Sequence, residues 1–467
     1  MKHYLSYVED VIKSGWDNPA ITNYGGNTFR NCDIARNIAR LHIFFKQCGI
    51  REGENIAICA RNSAEWCVAF LAITTYKAVA VPLLADFLPE NIVNLVKISD
   101  SRMLFTDKNV LSGLQRSGAV AGFAEYDNFI GAFDIVTYEN VINYNANIKV
   151  NIEDADKAFE QQYPKGMTAA DINFNIGALD DLAVISYTSG TSSSPKGVML
   201  AAKSLSGNVE IARKLVPIAF KEPGNTLSIL PLAHIFGLAF DFLFLFTSGC
   251  HIYIFTEKPV PVRLLKALSE VKPFIFLTVP MLIEKIFRAK VIPTLKKPAM
   301  KFLTSIPGVR QLIYKKVRAK IIDTFGGNLR SIVLGGAAIS LPVEKVMRKI
   351  RLPYTVGYGM TECAPLIGYS PWESFRLGSC GRAVDNVVVG SLLIKPSLIE
   401  QGESVTITGF SGNKATVYVY DMVGRCVEQL TMTGNSIELN TFTTSGVYTV
   451  RVMDANGEQH VGRVMVK

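Results

Sequence analysis

Leu182-Ala-Val-Ile-Ser-Tyr-Thr-Ser-Gly-Thr-Ser-Ser-Ser-Pro-Lys-Gly-Val-Met-Leu200 is the most informative stretch of the chain. Its first five residues, Leu182 to Ser186, are a short apolar run that reads as a buried strand. Leu200, Leu205, Val209, Ile211 and Leu215 follow at spacings amphipathic enough for a helix. Between them runs a loop with two glycines, six hydroxyl side chains from Thr188 to Ser194, and one lysine. Backbone N–H groups and hydroxyls in such a loop can bind phosphate oxygens, with Lys196 as a mobile positive charge. Hydroxyl-rich loops are equally common as plain turns, and composition alone leaves both open. The P-loop of GTPases and kinases is excluded. It requires Gly-x-x-x-x-Gly-Lys-Ser/Thr, whereas Gly197 and Val198 follow Lys196 here.

Two glycine-rich segments lie downstream, Leu334-Gly-Gly-Ala-Ala-Ile339 and Val356-Gly-Tyr-Gly-Met-Thr-Glu-Cys-Ala-Pro365. With the hydroxyl loop, and in this order and spacing, they resemble the signatures of the adenylate-forming enzymes: acyl-CoA synthetases, luciferases and nonribosomal peptide adenylation domains. The resemblance is strongest to bacterial long-chain fatty acid–CoA ligases and covers about residues 1–389. Ser193 is a mild departure, since the family most often has glycine there.

The resemblance implies a nucleotide site built from Thr188, Ser189, Gly190, Thr191, Ser192, Lys196, Gly335, Gly336, Ala337, Gly357, Tyr358, Gly359, Met360 and Thr361. Lys196 and the hydroxyl loop would hold the β- and γ-phosphates of ATP, Thr361 the α-phosphate, and Tyr358 would stack on adenine. A strand that ends in two glycines, as at Ser331 to Gly336, lets a planar ring approach the backbone. Mg²⁺ prefers one or two protein oxygens together with phosphates and water. Glu362 would supply a carboxylate and Thr188 a second ligand. Lys196, Thr361 and Glu362 are the implied catalytic residues. Leu230-Pro-Leu-Ala-His-Ile-Phe-Gly237 is similar to the family's Leu-Pro-Leu-x-His-x-x-Gly pattern, which lines the acyl site. His234, Phe236 and Gly237 are its acyl-binding candidates, although a lone histidine in apolar surroundings is usually a core residue with a satisfied ring nitrogen. Phe274 to Met281 reads as a strand leading to a wall of the same pocket. The implied reaction activates a fatty acid with ATP to an acyl-adenylate and passes the acyl group to CoA.

At 467 residues, 49% of them apolar, the chain is long enough for two or three domains. Eight cysteines are scattered without a CxxC pair or metal-ligand spacing. Cys32, Cys48, Cys59 and Cys67 read as buried thiols of a reduced protein. The N-terminal ten residues lack the apolar run of a signal peptide. The best candidate membrane span, Ile235 to Phe255, holds Asp241 and is broken at Ser248-Gly249, so a buried helix followed by a strand fits better. These features point to a cytoplasmic protein, at most peripheral to the inner membrane. The net charge of +9 is concentrated between Glu284 and Asp323, which bracket eleven Lys/Arg and no acid. Apolar residues such as Phe287, Ile292, Leu303, Ile306 and Leu312 interleave with them. Segment 285–320 is therefore either a solvated helical face or a weak contact for anionic lipid. No recognised nucleic-acid motif accompanies the charge.

Residues 1–50 read as a helix, a hairpin and a second helix. Asn55 to Cys59 and Ala78 to Leu83 are strands, and a helix from Ser63 to Ala72 has Asn62 and Ser63 as cap candidates. Alternation of this kind implies βαβ units and a mainly parallel sheet. Asn143 to Phe174 is polar, acidic and weakly patterned, which suggests a surface insertion or linker.

After Val389 the family pattern stops. The Thr-Gly-Asp-like turn, the hinge and a lysine in a matching context are not found in residues 390–467, and Thr408-Gly-Phe410 lacks the aspartate. Short alternating strands take their place, with turns at Asp421 to Gly424 and Asp454 to Gly457. Val417 to Gly424, Ser445 to Val450 and Arg463 to Lys467 resemble the C-terminal sorting domain of the type IX secretion system of Bacteroidetes. The expected architecture is α/β, a large multi-layer adenylate-forming domain at 1–389 with mainly parallel sheets, then a small all-β sandwich at 390–467. The two resemblances imply different compartments. The simplest account is a chimaera from gene fusion, frameshift or misassembly near Val389, with impaired ligase activity. A non-catalytic nucleotide- or acyl-binding module and a surface protein sorted by its tail are the alternatives.

Overall fold

Short apolar runs between amphipathic ones build two seven-stranded sheets within Met1–Val384, the larger of two compact units. The computed structural model describes residues 1–143, 151–188, 196–257, 259–384, 393–395, 398–408, 414–421, 426–434, 436–454 and 459–466. In chain order the strands of these sheets are β1 (Pro19–Asn23), β2 (Thr28–Arg30), β3 (Asn55–Cys59), β4 (Val79–Leu83), β5 (Ser101–Thr106), β6 (Gly131–Asp134), β7 (Asn140–Asn143), β8 (Leu182–Thr188), β9 (Lys196–Ala201), β10 (Asn225–Ser228), β11 (His251–Ile254), β12 (Ile275–Thr278), β13 (Ser331–Leu334) and β14 (Tyr354–Val356). One sheet runs β7-β6-β5-β3-β4-β8-β9 and the other β14-β13-β12-β10-β11-β1-β2. Both have parallel interiors. Antiparallel pairs occur at edges only: β6–β7, β8–β9 and β1–β2. Parallel strands are covered on both faces, which is why β4 and β12 are buried along their whole length.

The helix Ala64–Thr75 joins the two sheets. It touches β3 and β4 of one and β1 of the other, and all its residues are buried. Ser63 caps it, accepting a hydrogen bond from the Trp66 N–H. Asn62, the other cap candidate, turns away and binds the Leu230 carbonyl and the Leu232 N–H. Inside, the Trp66 ring stacks on Phe70, whose ring meets Phe242 edge-on at 6.3 Å.

Two expectations are corrected. Residues 143–174 are not a bare linker, because Ile152–Gln162 is a helix. Ile152 and Ala155 are buried, the helix packs on Asn31–Gln47, and Asp156 pairs with Arg40 at 2.5 Å. Its two-residue apolar stripe was too thin to stand out among the acids. The second concerns the opening stretch, in which a second strand precedes the helix. Lys196–Ala201 returns antiparallel along β8, and the helix begins only at Ala202. An edge strand with one fully buried residue, Leu200, carries little hydrophobic signal.

The second unit, Asp385–Lys467, has two small sheets. Leu393–Lys395, Val405–Thr408 and Ser436–Leu439 form one. Leu398–Ile399, Gln459–Val466, Gly446–Asp454, Lys414–Tyr420 and Cys426–Thr433 form the other, in that spatial order. Val417 and Val419 are buried while Thr416, Tyr418 and Tyr420 are only part-buried, the two-residue period of a half-covered strand. Val405, Ile407 and Leu439 from the first sheet share a core with Val417, Val450 and Val464 from the second. This is a small β-sandwich. Of the expected turns at Asp421 to Gly424 and Asp454 to Gly457, residues 422–424 and 455–457 lie outside the described residues, but the strands flanking each are antiparallel neighbours. Among the described residues no helix is long and apolar enough to cross a membrane.

Phe70→Ala would open a void where the two sheets meet and should cost about 3–5 kcal/mol. Chemical denaturation followed by fluorescence measures it, and a loss well under 1 kcal/mol would contradict the packing described.

Candidate active site

Strands deliver the site at their carboxyl ends, as parallel sheets do. A cavity of about 370 Å³ opens beside the ends of β8, β13 and β14, with the helix Ala202–Leu215 and the π-helical turn Gly237–Phe244 as further walls. Its lining falls into two chemical sets. Thr188, Gly335, Gly336, Gly357, Tyr358, Gly359, Met360, Thr361 and Glu362 form a backbone-rich polar set. Ala212, Leu215, Val216, Phe240, Phe244, Ile275, Leu277 and Val333 form an apolar set. His234 and Phe236 line it too.

Most of the sequence candidates therefore converge on one space. Ser189, Gly190, Thr191 and Ser192 lie outside the described residues. Lys196 starts β9 directly opposite Thr188 in register, is exposed, and is not part of the lining. Ala337 is exposed and also outside it. Gly237 is buried. A Cβ there would fall 2.2 Å from the Pro231 carbonyl oxygen, so this glycine serves close packing and not contact with the cavity.

The glycines after β13 act differently from each other. Gly336 has φ +80, a conformation that favours glycine. At Gly335 the space a Cβ would occupy is filled by the Phe236 ring, with the nearest atom at 2.7 Å. Gly335 thus admits an aromatic side chain of the protein itself, a role not read from the sequence. Gly359 is needed because Pro365 folds back over it. The Met360 N–H donates to the Pro365 carbonyl, and a Cβ on Gly359 would meet that oxygen at 2.2 Å.

Two residues the sequence analysis did not single out for the site hold its walls. Asn208, on the helix Ala202–Leu215, donates to the Cys363 carbonyl and accepts from the Leu366 N–H at 2.8 Å, clamping the turn that carries Thr361 and Glu362. Asp241, fully buried in the π-helical turn, accepts through Oδ2 from Ser228 Oγ and from the Ile229 and Leu230 N–H groups. These bonds fix the start of the segment that ends in His234 and Phe236. Burial raises the Asp241 pKa to about 7, while the three hydrogen bonds pull the other way. The signal was visible as one acid inside an apolar run. His234 Nδ1 accepts from the Phe236 N–H at 3.2 Å, which leaves Nε2 as the protonated nitrogen of the neutral ring. The surrounding walls hold its pKa below the ordinary value by desolvation.

Comparison with known proteins fits this geometry. Residues 9–391 match the model of the AMP-binding enzymes. The chain belongs to the AMP-binding enzyme family. Residues 402–467 match the secretion system C-terminal sorting domain. Long-chain-fatty-acid–CoA ligase 5 of Rattus norvegicus is 30% identical over 332 residues, 66% of this chain and 46% of the relative. Long-chain-fatty-acid–CoA ligase 1 of Saccharomyces cerevisiae is 27% identical over 426 residues, 82% of this chain and 58% of the relative. The chain thus spans about half the length of the curated relatives it matches. Among solved structures, an inhibitor-bound N-terminal domain of FACL13 from Mycobacterium tuberculosis superposes with TM-score 0.60 at 15% identity, covering 99% of each chain. A long-chain-fatty-acid-CoA ligase (FadD1) from Archaeoglobus fulgidus gives 0.61 at 16%, covering 100% of this chain and 84% of that one. The AMP-binding fold expected from the glycine-rich motifs is therefore present, and the tail, whose strands resembled a sorting domain, matches the model of a secretion system C-terminal sorting domain.

The raised pKa of Asp241 gives this AMP-binding protein a pH signature. Between about pH 4, where an unfolded aspartate titrates, and about pH 7 the folded protein holds a proton that the unfolded chain has released. The contribution of this group to stability is full below that window and falls as pH rises through it. Asp241→Asn should flatten that part of the stability–pH curve. Denaturant midpoints of both proteins across the window test it, and parallel curves would contradict the assignment.

Proposed function

We propose that this chain carries a site that activates a fatty acid carboxylate with ATP, forming an acyl-adenylate for transfer to CoA. The observation that carries the reading is that one cavity gathers the glycine- and hydroxyl-bearing motif residues together with a wall of aliphatic and aromatic side chains. A nucleotide needs the first set and an acyl chain the second. The names of the relatives, long-chain fatty acid–CoA ligases, support the same choice of substrate.

In this reading a carboxylate oxygen of the acid attacks the α-phosphorus, the bond to the β-phosphate oxygen breaks, and pyrophosphate leaves. The CoA thiol sulfur then attacks the acyl carbon, AMP departs, and the thiol proton is lost. Positioning and charge neutralisation supply most of the acceleration in such displacements at phosphorus. Thr361 holds the α-phosphate, Tyr358 covers adenine, and Lys196 with the loop after Thr188 holds the β- and γ-phosphates. Among the described residues no cluster of three or more His, Cys, Asp or Glu side chains offers a complete metal cage. A single exposed carboxylate on the cavity wall, Glu362, suits Mg²⁺, which keeps phosphate and water ligands. Glu362 and Thr188 would hold the ion, which supplies charge neutralisation at the phosphates. His234 and Phe236 border the acid.

The residues that follow the large unit here are a β-sandwich matched to a sorting domain. That observation supports the second reading, a surface protein sorted by its C-terminal tail, and it is the ground for proposing that the 467-residue chain is a poor ligase. Loss of one preorganised charge costs about 10²–10³ in rate.

Calorimetry should show magnesium-dependent ATP binding that is weakened by Lys196→Ala, through loss of a charge-assisted contact, and made less magnesium-dependent by Glu362→Gln. Equal affinity in all three proteins would contradict the site assignment. Pyrophosphate-release and thioester assays with medium- and long-chain acids should give little thioester, with recovery when a ligase C-terminal domain replaces residues 390–467. Robust thioester formation by the unmodified chain would contradict the impairment.

A further inference from the structure

The three consecutive helices Ile292–Lys296, Pro298–Ser305 and Val309–Thr324 stand almost free of the core. From residue 292 to residue 320 no side chain is buried. Leu295, Tyr314 and Val317 rest against the core edge and hold the segment in place. Ile292 packs on the same edge and Met300, Val309 and Ile313 are half-buried, while Phe302 is 69% and Leu312 62% exposed and Leu303 and Ile306 are also open. Eight of the eleven basic residues lie in the same stretch, which contains no acid. Of the eleven, Arg288 alone is ion-paired among the described residues, to Glu284. A groove of about 780 Å³ gathers Arg310, Lys315, Arg318, Lys349 and Arg351 with no carboxylate in its lining.

A solvated helix face would keep its charges mixed and its aromatic and aliphatic side chains covered. These helices carry charge of one sign from 292 to 320 and leave Phe302, Leu303, Ile306 and Leu312 uncovered. Unpaired cations beside exposed apolar side chains are what a surface needs to sit on an anionic membrane, with the charges at the headgroups and the apolar side chains in the interface. We propose that the helical arm 292–320 and the adjoining basic groove form a docking surface for anionic lipid, the groove receiving phosphate headgroups. The proposal rests on exposure and charge alone and stands whether or not the cavity activates fatty acids.

The test is co-sedimentation of the full chain with phosphatidylcholine vesicles, with and without phosphatidylglycerol, at low and high salt. Binding to the anionic vesicles at low salt is expected, with loss at high salt as screening shortens the reach of the charges. Each basic residue near the surface is worth about fivefold in partitioning, so Arg310→Ser, Lys315→Ser and Lys349→Ser together should weaken it about a hundredfold. Phe302→Ser with Leu312→Ser should weaken it while leaving the salt sensitivity. All five positions are exposed, and circular dichroism checks that the variants fold. Free inorganic phosphate at matched ionic strength should not release the chain. Equal binding to neutral vesicles, no binding at low salt, or full binding by the triple variant would overturn the proposal. Release by free phosphate would assign the groove to a soluble phosphate, and release by duplex DNA would assign the surface to nucleic acid; either would end the lipid proposal.

Discussion

One buried carboxylate oxygen, Asp241 Oδ2, holds the beginning of the cavity wall. Three donors from Ser228, Ile229 and Leu230 converge on it at 2.8 to 3.1 Å. Asn62 grips the same segment two residues later, at Leu230 and Leu232. A segment tied at both points delivers His234 and Phe236 in a set geometry, and the Phe236 ring then occupies the place left by the absent side chain of Gly335. The polar group is expensive to bury, and its hydrogen bonds offset part of that cost. On the other side Asn208 does the same for the turn of Thr361 and Glu362. Two interior polar side chains on helical segments thus set the positions of residues contributed by distant loops.

Much of this was legible in the sequence, because the motifs of the AMP-binding enzymes are local. Glycines that a strand end or a tight turn requires announce themselves, and Thr188, Gly335 and Tyr358 to Glu362 line one cavity. The strands Asn55–Cys59 and Val79–Leu83 and the capping Ser63 were likewise local signals. The apolar wall was not legible. Ala212, Leu215 and Val216 look like any buried helix face, and only packing shows that they border a space. Asn208 and Asp241 were missed as site supports because their partners lie 11 to 158 residues away. Gly335 was read for a ligand ring, whereas the structure places Phe236 against it. The hairpin strand at Lys196 went unseen because an edge strand with a single fully buried residue has almost no periodic signature.

The two compact units obey different rules. The larger buries parallel strands under helices, and its chemistry sits where strands end. The smaller is a sandwich of alternating strands around Val417, Val450 and Val464, with its own core. The cavity residues all belong to the larger unit.

The proposed function requires that a single cavity take nucleotide and acyl chain together. A non-hydrolysable acyl-adenylate mimic, an alkyl-sulfamoyl adenosine, measures that directly by calorimetry. It should bind far more tightly than adenosine monophosphate or the free acid, because one molecule satisfies both chemical sets. Gly335→Ala should weaken it by displacing the Phe236 ring. Affinity no greater than that of either half alone would contradict a shared cavity.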